Sequence, residues 1–279
     1  MQVSSLHIHP VKSCRGLAVL EMDIDQIGPV DDRRFLIVDA NGRFLTQREH
    51  PNMAQIRVRP SAGNWMFFVD HHHMHPVEVP KRPPVGVPPR EVTIWRDTVL
   101  AEDCGDEIAT LLSGLLSIPV RLVRAARDYK RTIPEKRTPK ALKARGESLV
   151  AFGDAFPFLI TSIASIGDLN SRLDVPVPMD RFRPNIVVTG CGPYEEDNWT
   201  HIRIGNVELH AAGPCERCVV ITTDQHTGER AKEPLATLST YRRGPNGAVK
   251  FGQNFIHATE HGTIRVGDAV TILEKRDEG

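Results

Sequence analysis

No run in this chain approaches the roughly 20 apolar residues that a helical membrane span needs. The opening stretch, MQVSSLHIHPVKSCRG, has neither the apolar centre of a secretory signal nor the Arg-rich amphipathic character of a transit peptide. Cysteine is scarce and odd in number: Cys14, Cys104, Cys191, Cys215 and Cys218 are the five in 279 residues. That count and spread argue against a disulfide-stapled secreted framework, and a reducing cytoplasm is the expected compartment. Net charge is missing as well, with 35 Lys and Arg against 35 Asp and Glu. A chain so balanced lacks the basic surplus of a dedicated nucleic-acid binder. There is no second C-x-x-C and no repeating strand–helix–strand pattern.

What the chain does have is many short runs rich in Val, Ile and aromatics. FLIVDANGRFLT (35–46) reads as two strands around Asn41-Gly42, and HIRIGNVELH (201–210) as two strands around Gly205-Asn206. NWMFFVD, VTIW, VRLVRA, PNIVVTG and AVTILEK are further strand candidates. Helical spacing occurs at DEIATLLSGLL (106–116), which has an acidic first turn. It recurs from Ser162 to before Pro176, and in EPLATLSTYRR (233–243), where Pro234 sits in the first turn. Residues 75–91 carry six prolines and predict an extended surface loop. Residues 121–145 hold ten Lys and Arg against two acids. They predict a basic linker between a domain over 1–120 and a β-rich domain over 146–279.

One short stretch carries chemistry: GPCERCVVITTDQHTG, residues 213–228. Its C-x-x-C pair allows three readings. A structural zinc site needs four ligands, and only His210 and His226 lie nearby. A redox dithiol opens a helix in a βαβ setting, whereas VVITTD is β-branched and predicts a strand. The third reading is one working thiolate on a loop entering a strand, with Arg217 beside it to stabilise the charge. Burial of both cysteines as small hydrophobes competes with all three.

Other segments supply cations: Lys12 and Ser13 in HPVKSCRG, Arg33 and Arg48 in DRRFLIVDANGRFLTQREHP, and Arg183 with Asn185 in MDRFRPNIVV. Arg forks and a Lys point charge suit a phosphate. Taken together and in order, LHIHPVKSCRG, DRRFLIVDANGRFLTQREHP, RFRPNIVV, CERC, EPLATLSTYR and GTIRVGD resemble the MOSC family. The resemblance covers about residues 3–273. It is to the form in which an N-terminal MOSC-type β-barrel domain precedes the MOSC domain, as in the mitochondrial amidoxime-reducing components and their bacterial counterparts.

The resemblance implies a mainly β protein with some α, an N-terminal α+β domain packed on a C-terminal MOSC β-barrel. It implies the molybdenum cofactor, a pterin dithiolene with a terminal phosphate, and a metal ligand at Cys218, the second cysteine of the motif. It carries Lys12, Ser13, Arg33, Arg183, Asn185 and the backbone near Glu216 over as cofactor-binding positions, and Asp154 as an acidic group close to the metal. The implied activity is reduction of N-hydroxylated compounds such as amidoximes, hydroxylamines and N-hydroxylated bases. Electrons are expected from a separate flavin, ferredoxin-like or cytochrome b5-like protein. A persulfide carrier and a non-catalytic cofactor carrier are the alternatives, and a family-level association with pyridoxal phosphate also travels with the resemblance. The chain departs from the family at Gln225, where proline is usual. Two further features have their own expectations. HHHMH (71–75) predicts an exposed loop, and the basic run 121–145 predicts either a solvated linker or a docking surface for an acidic electron donor.

Overall fold

The computed structural model describes residues 1–69, 75–82 and 86–276. Apart from the exposed His75, the His-rich stretch lies outside them. The largest sheet has eight strands, in the order Val270–Lys275, Trp199–Ile204, Val207–Arg217, Val249–His257, Phe158–Ser162, Ile186–Thr189, Gln2–Ile8 and Leu17–Val19. Neighbours run antiparallel except Phe158–Ser162 and Ile186–Thr189. Parallel neighbours need a crossover, which here contains a helix. The sheet then closes on itself: Gln2 bridges Ala269, and the Val3 and Val270 amides donate to the Asp268 and Met1 carbonyls. Closure removes the sheet edges and makes this half a β-barrel.

Three smaller sheets surround the barrel. Phe35–Asp39, Val120–Ala125, Asp97–Asp103 and Pro89–Ile94 form a four-stranded one. Gly262–Arg265 pairs with Glu21–Asp25, and Ile56–Ser61, Asn64–Val69 and Val77–Pro80 make a third group. Helix α1 (Asp106–Leu116) buries Ile108, Leu111, Leu112, Leu115 and Leu116, one stripe at helical spacing. Each contributes about 1.5–3 kcal/mol on burial. That stripe joins Phe35, Trp65 and Leu122 in one core cluster that also contains Leu6, Ile160, Ile186 and Phe255 of the barrel. A short helix, α2 (Lys140–Lys143), precedes α3 (Ile163–Asn170) and α4 (Leu235–Tyr241). The α3 N-terminus is capped as its sequence suggests, with the Ser162 hydroxyl accepting from the Ser165 amide at 3.0 Å.

The structure corrects three expectations. The presumed linker over 121–145 begins as a core strand, Val120–Ala125, paired with Phe35–Asp39 and Asp97–Asp103. The first strand also crosses over: Gln2–Ile8 pairs with Ile186–Thr189 inside the barrel, so the start of the chain completes the sheet of its second part. The proline-rich stretch contains Val77–Pro80, whose alternating VEV pattern buries one face against Asn64–Phe67. The run after Cys218 is a 3-10 turn, Val219–Thr222, and not a strand. Both hairpin turns do form, although the return arm after Gly42 makes only single bridges, Val38 to Phe44 and Arg43 to Thr93.

Candidate active site

Lys12 follows the first barrel strand and is almost wholly buried, with 4% of its surface exposed. Its amide donates to the Phe35 carbonyl, and its ammonium bonds Asp154 Oδ1 across 142 residues of sequence. The Asp154 side chain keeps 65% exposure, yet it is ringed by Lys12, Arg48 and Arg33. Loss of hydration there would raise its pKa. The Lys12 charge and hydrogen bond outweigh that and, with Arg48 and Arg33, hold the carboxyl well below the ordinary range. Burial pulls the Lys12 pKa down, with Asp154 opposing.

Arg33 lies between three elements. Nη1 donates to Asp32 Oδ2 at 2.6 Å and Asn185 Oδ1 at 3.0 Å, and Nη2 donates to the Arg183 carbonyl at 3.2 Å. Buried Asp32 also accepts from the His9 amide at 2.7 Å. The Asn185 carboxamide bonds within the protein at both ends: its oxygen accepts from the Leu159 amide and Arg33, and its nitrogen donates to the His7 carbonyl. Asn185 therefore ties three barrel segments and aims Arg33. Arg183 donates to the Cys14 carbonyl, and burial followed by the Arg33 charge lowers its pKa to about 10. Lys12, Arg33, Arg48 and Arg183 are four cations facing the two carboxylates Asp32 and Asp154. The cluster holds surplus positive charge. Ser13, Arg33 and Arg183 all have left-handed backbones, with φ of 62°, 48° and 56°. Non-glycine residues take that region rarely, and it concentrates at functional sites.

The strand Val207–Arg217 carries Cys215 and leads into Cys218. It slips register against Val249–His257 twice, between Ala211 and Gly213 and between Pro214 and Glu216. Such bulges re-aim a strand end. Gly213 supplies φ of 112° at the first, and Gly252 on the partner strand approaches so closely that a Cβ would meet the Ile160 carbonyl at 2.8 Å. Cys218 then caps the Val219–Thr222 turn, half-buried, and its sulfur makes no hydrogen bond among the described residues. Arg217, expected beside the working thiolate, instead donates Nη1 to Cys215 Sγ at 2.8 Å and Nη2 to the Phe182 carbonyl at 2.6 Å. The loop beyond is tied into the cation cluster. Arg181 bonds the Thr222 carbonyl and Asp224, Gln225 pairs with buried Gln47, and Arg230 donates to the Gln47 and Arg48 carbonyls. Gln225, where the family usually has proline, thus has a structural task. Glu216 stands apart, exposed and accepting from Asn246 at 2.8 Å. Among the described residues no three His, Cys, Asp or Glu side chains cluster to hold a metal.

Comparison with known proteins agrees with this frame. Residues 1–119 match the MOSC N-terminal beta barrel domain and residues 147–271 the MOSC domain. The chain is 34% identical over 285 residues to mitochondrial amidoxime-reducing component 1 of Mus musculus, covering 97% of this chain and 82% of that protein. It is 34% identical over 284 residues to the Homo sapiens protein of the same name, with the same coverage. This chain belongs to the MOSC family. Among solved structures, the YUAD protein from Bacillus subtilis aligns over 96% of this chain and 93% of that one, with 10% identity and a TM-score of 0.37. Among the described residues, no helix is long and apolar enough to cross a membrane.

Within this MOSC scaffold, sequence reasoning missed three residues that shape the site. Asp32, hidden beside Arg33-Arg34, anchors Arg33. Arg131, hidden in the basic run, is buried; it donates Nε to Asp97 at 2.7 Å and the rest of its guanidinium to the carbonyls of Ala151, Gly153 and Asp154. Trp95 stands over Lys12, whose ammonium lies 5.6 Å from the ring centroid. The sequence carries a signal for Trp95: the β-like runs VTI and DTVL are separated by only two residues, Trp95 and Arg96.

Proposed function

We propose that this chain is a molybdenum-cofactor-dependent reductase of N-hydroxylated compounds. The observation that carries the reading is the surplus of positive charge at buried Lys12 and half-buried Arg33 and Arg183, bonded into one frame with the loop that presents Cys218. That donor set fits the group. A soft thiolate suits a molybdenum centre, and guanidinium forks with an ammonium suit its terminal phosphate. In this reading Cys218 holds the metal; Lys12, Arg33 and Arg183 hold the phosphate; and Ser13 and the backbone near Glu216 line the pterin. When bound, the cofactor supplies the two-electron, oxygen-accepting chemistry that an N–O bond cleavage requires. Overall an amidoxime takes up two electrons and two protons and gives the amidine and water, the electrons arriving from a separate donor protein.

The chain's own residues give Asp154 a defined task. Kept ionised by Lys12, it accepts hydrogen bonds and does not release protons at neutral pH. It therefore orients the N–H or O–H of a substrate.

Metal analysis coupled to a reduction assay tests the proposal. Protein from a cofactor-competent host should carry close to one molybdenum per chain and reduce amidoximes with a chemical electron source. Cys218→Ala should lower turnover by more than about a hundredfold, the upper end even for losing an outer-shell partner of a metal site. Cys215→Ala should keep most of it. Molybdenum-free wild-type protein from such a host, or full activity in Cys218→Ala, would overturn the proposal.

A further inference from the structure

We infer that Trp95 is the platform on which this site seats planar substrates, so that aryl amidoximes and N-hydroxylated heteroaromatic bases bind in preference to aliphatic amidoximes. The inference rests on the reductase reading above and names the part of the substrate that reading leaves open.

Trp95 begins the two-residue turn between Pro89–Ile94 and Asp97–Asp103, where Ile94 pairs with Asp97. Its φ is 58°, a backbone that favours glycine or asparagine and that a bulky residue adopts only under constraint. The ring is also 40% exposed, whereas Trp65 and Trp199 are each 1% exposed. A large apolar side chain is thus held in a costly turn conformation with much of its surface left open to solvent. Its surroundings point to ligand recognition. Phe44 props the ring from 4.9 Å, tilted at 59°. The Arg48 guanidinium lies 4.8 Å from the ring centroid. That group is a flat cation, so the ring face accepts a planar partner. Lys12 is 5.6 Å from the ring and bonds Asp154, so an exposed carboxylate stands beside the exposed ring.

Plate and carboxylate are fixed relative to each other. Arg131 donates Nε to Asp97, two residues beyond Trp95, and Nη1 to the Gly153 carbonyl at 2.6 Å, next to Asp154. A ring can stack on the tryptophan while its N–H or O–H points to Asp154. The surplus positive charge around Asp154 favours a neutral planar ligand over a cation.

The tryptophan content makes a direct test available. With Trp65 and Trp199 buried, fluorescence accessible to iodide or to a bound ligand comes from Trp95. Benzamidoxime and acetamidoxime are the probes, on the cofactor-loaded protein. Benzamidoxime should quench the accessible fluorescence and shield it from iodide; acetamidoxime should do neither. Trp95→Gly suits the φ of this turn better than the native residue, and a thermal melt matching the wild type separates a loss of binding from a loss of fold. It should raise KM for benzamidoxime by about 5- to 150-fold, the range for removing one aromatic stack, and leave KM for acetamidoxime within about twofold. Trp95→Phe should recover most of the difference. Equal effects on both substrates, or no quenching of the wild type by benzamidoxime, would overturn the platform. Selective quenching in a protein that reduces no amidoxime would support the platform and count against the reductase reading.

Discussion

At the scale of single residues, buried polar groups show where the fold tolerates an unfavourable state. Glu196 has no exposed surface. Ser165 donates to its Oε1 at 2.7 Å, while Oε2 is buried without a partner. Burial raises its pKa above the ordinary 4.5, and the Ser165 hydrogen bond only partly offsets this. The folded chain therefore binds this proton more tightly than the unfolded chain. Between 4.5 and the raised value the native state carries more protons, so stability is fully present below about pH 4.5 and declines as pH rises through the folded value. Glu196→Gln removes the titration and keeps the Ser165 contact. Thermal melts followed by circular dichroism should show a higher melting temperature for the variant at pH 8 and little change at pH 4; an equal shift at both would refute the assignment. The site residues differ in how legible they were. Lys12, Arg33, Arg183 and Cys218 stood out by type and motif. Arg217's preference for Cys215 and the engagement of Asn185 within the protein depend on backbone positions that motifs do not encode.

At the scale of elements, local rules read well where local physics decides. The α1 stripe, the Ser162 cap and the Gly205-Asn206 turn follow from spacing and turn chemistry alone, and all three are present. The basic run 121–145 misled because its partners are carbonyls and distant acids. Arg124 donates to the Pro80 and Arg82 carbonyls, Arg121 grips Asp103 and Asp106, and Arg145 reaches the Ala258 carbonyl. Such acceptors leave no trace in composition. With Lys130 on Glu147 and Lys143 on Glu135, much of the charge serves internal contacts, which weakens the segment as a docking patch. Arg131 and Arg127 separate the two views. Arg131→Ala strands several carbonyls and should cost about 2–4 kcal/mol in urea denaturation, the range for losing a buried charged donor with several partners. Exposed Arg127→Ala should stay within about 0.5 kcal/mol. Reduction by the donor protein that slows with Arg127→Ala and not with Arg131→Ala would restore the docking view.

At the scale of the whole molecule, the site exists only because the barrel draws the chain's first strand into its second half. Lys12 meets Asp154 and Arg33 meets Asn185 because Gln2–Ile8 lies beside Ile186–Thr189, with the turn after it against Phe35. Motif order announced the participants, but only closure of the sheet brings them together. A barrel closed by its own N-terminal strand also predicts how the chain divides. Val3, Leu6 and Ile8 are buried in the shared core. Each contributes about 1.5–3 kcal/mol, so removing the strand forfeits a large part of the roughly 5–15 kcal/mol by which a domain is stable. It also bares the Ile186–Thr189 edge to other chains. Residues 145–279 expressed alone should therefore aggregate or melt without a cooperative transition. A break between Ala144 and Arg145 falls in an exposed stretch. Co-expressed residues 1–144 and 145–279 should associate and elute as one species near the 31.1 kDa of the intact chain. Gel filtration and a urea titration read both outcomes. A soluble, cooperatively unfolding 145–279 fragment would mean that the barrel closes without its first strand, and that Lys12, Arg33 and Arg48 are added to a half that folds without them.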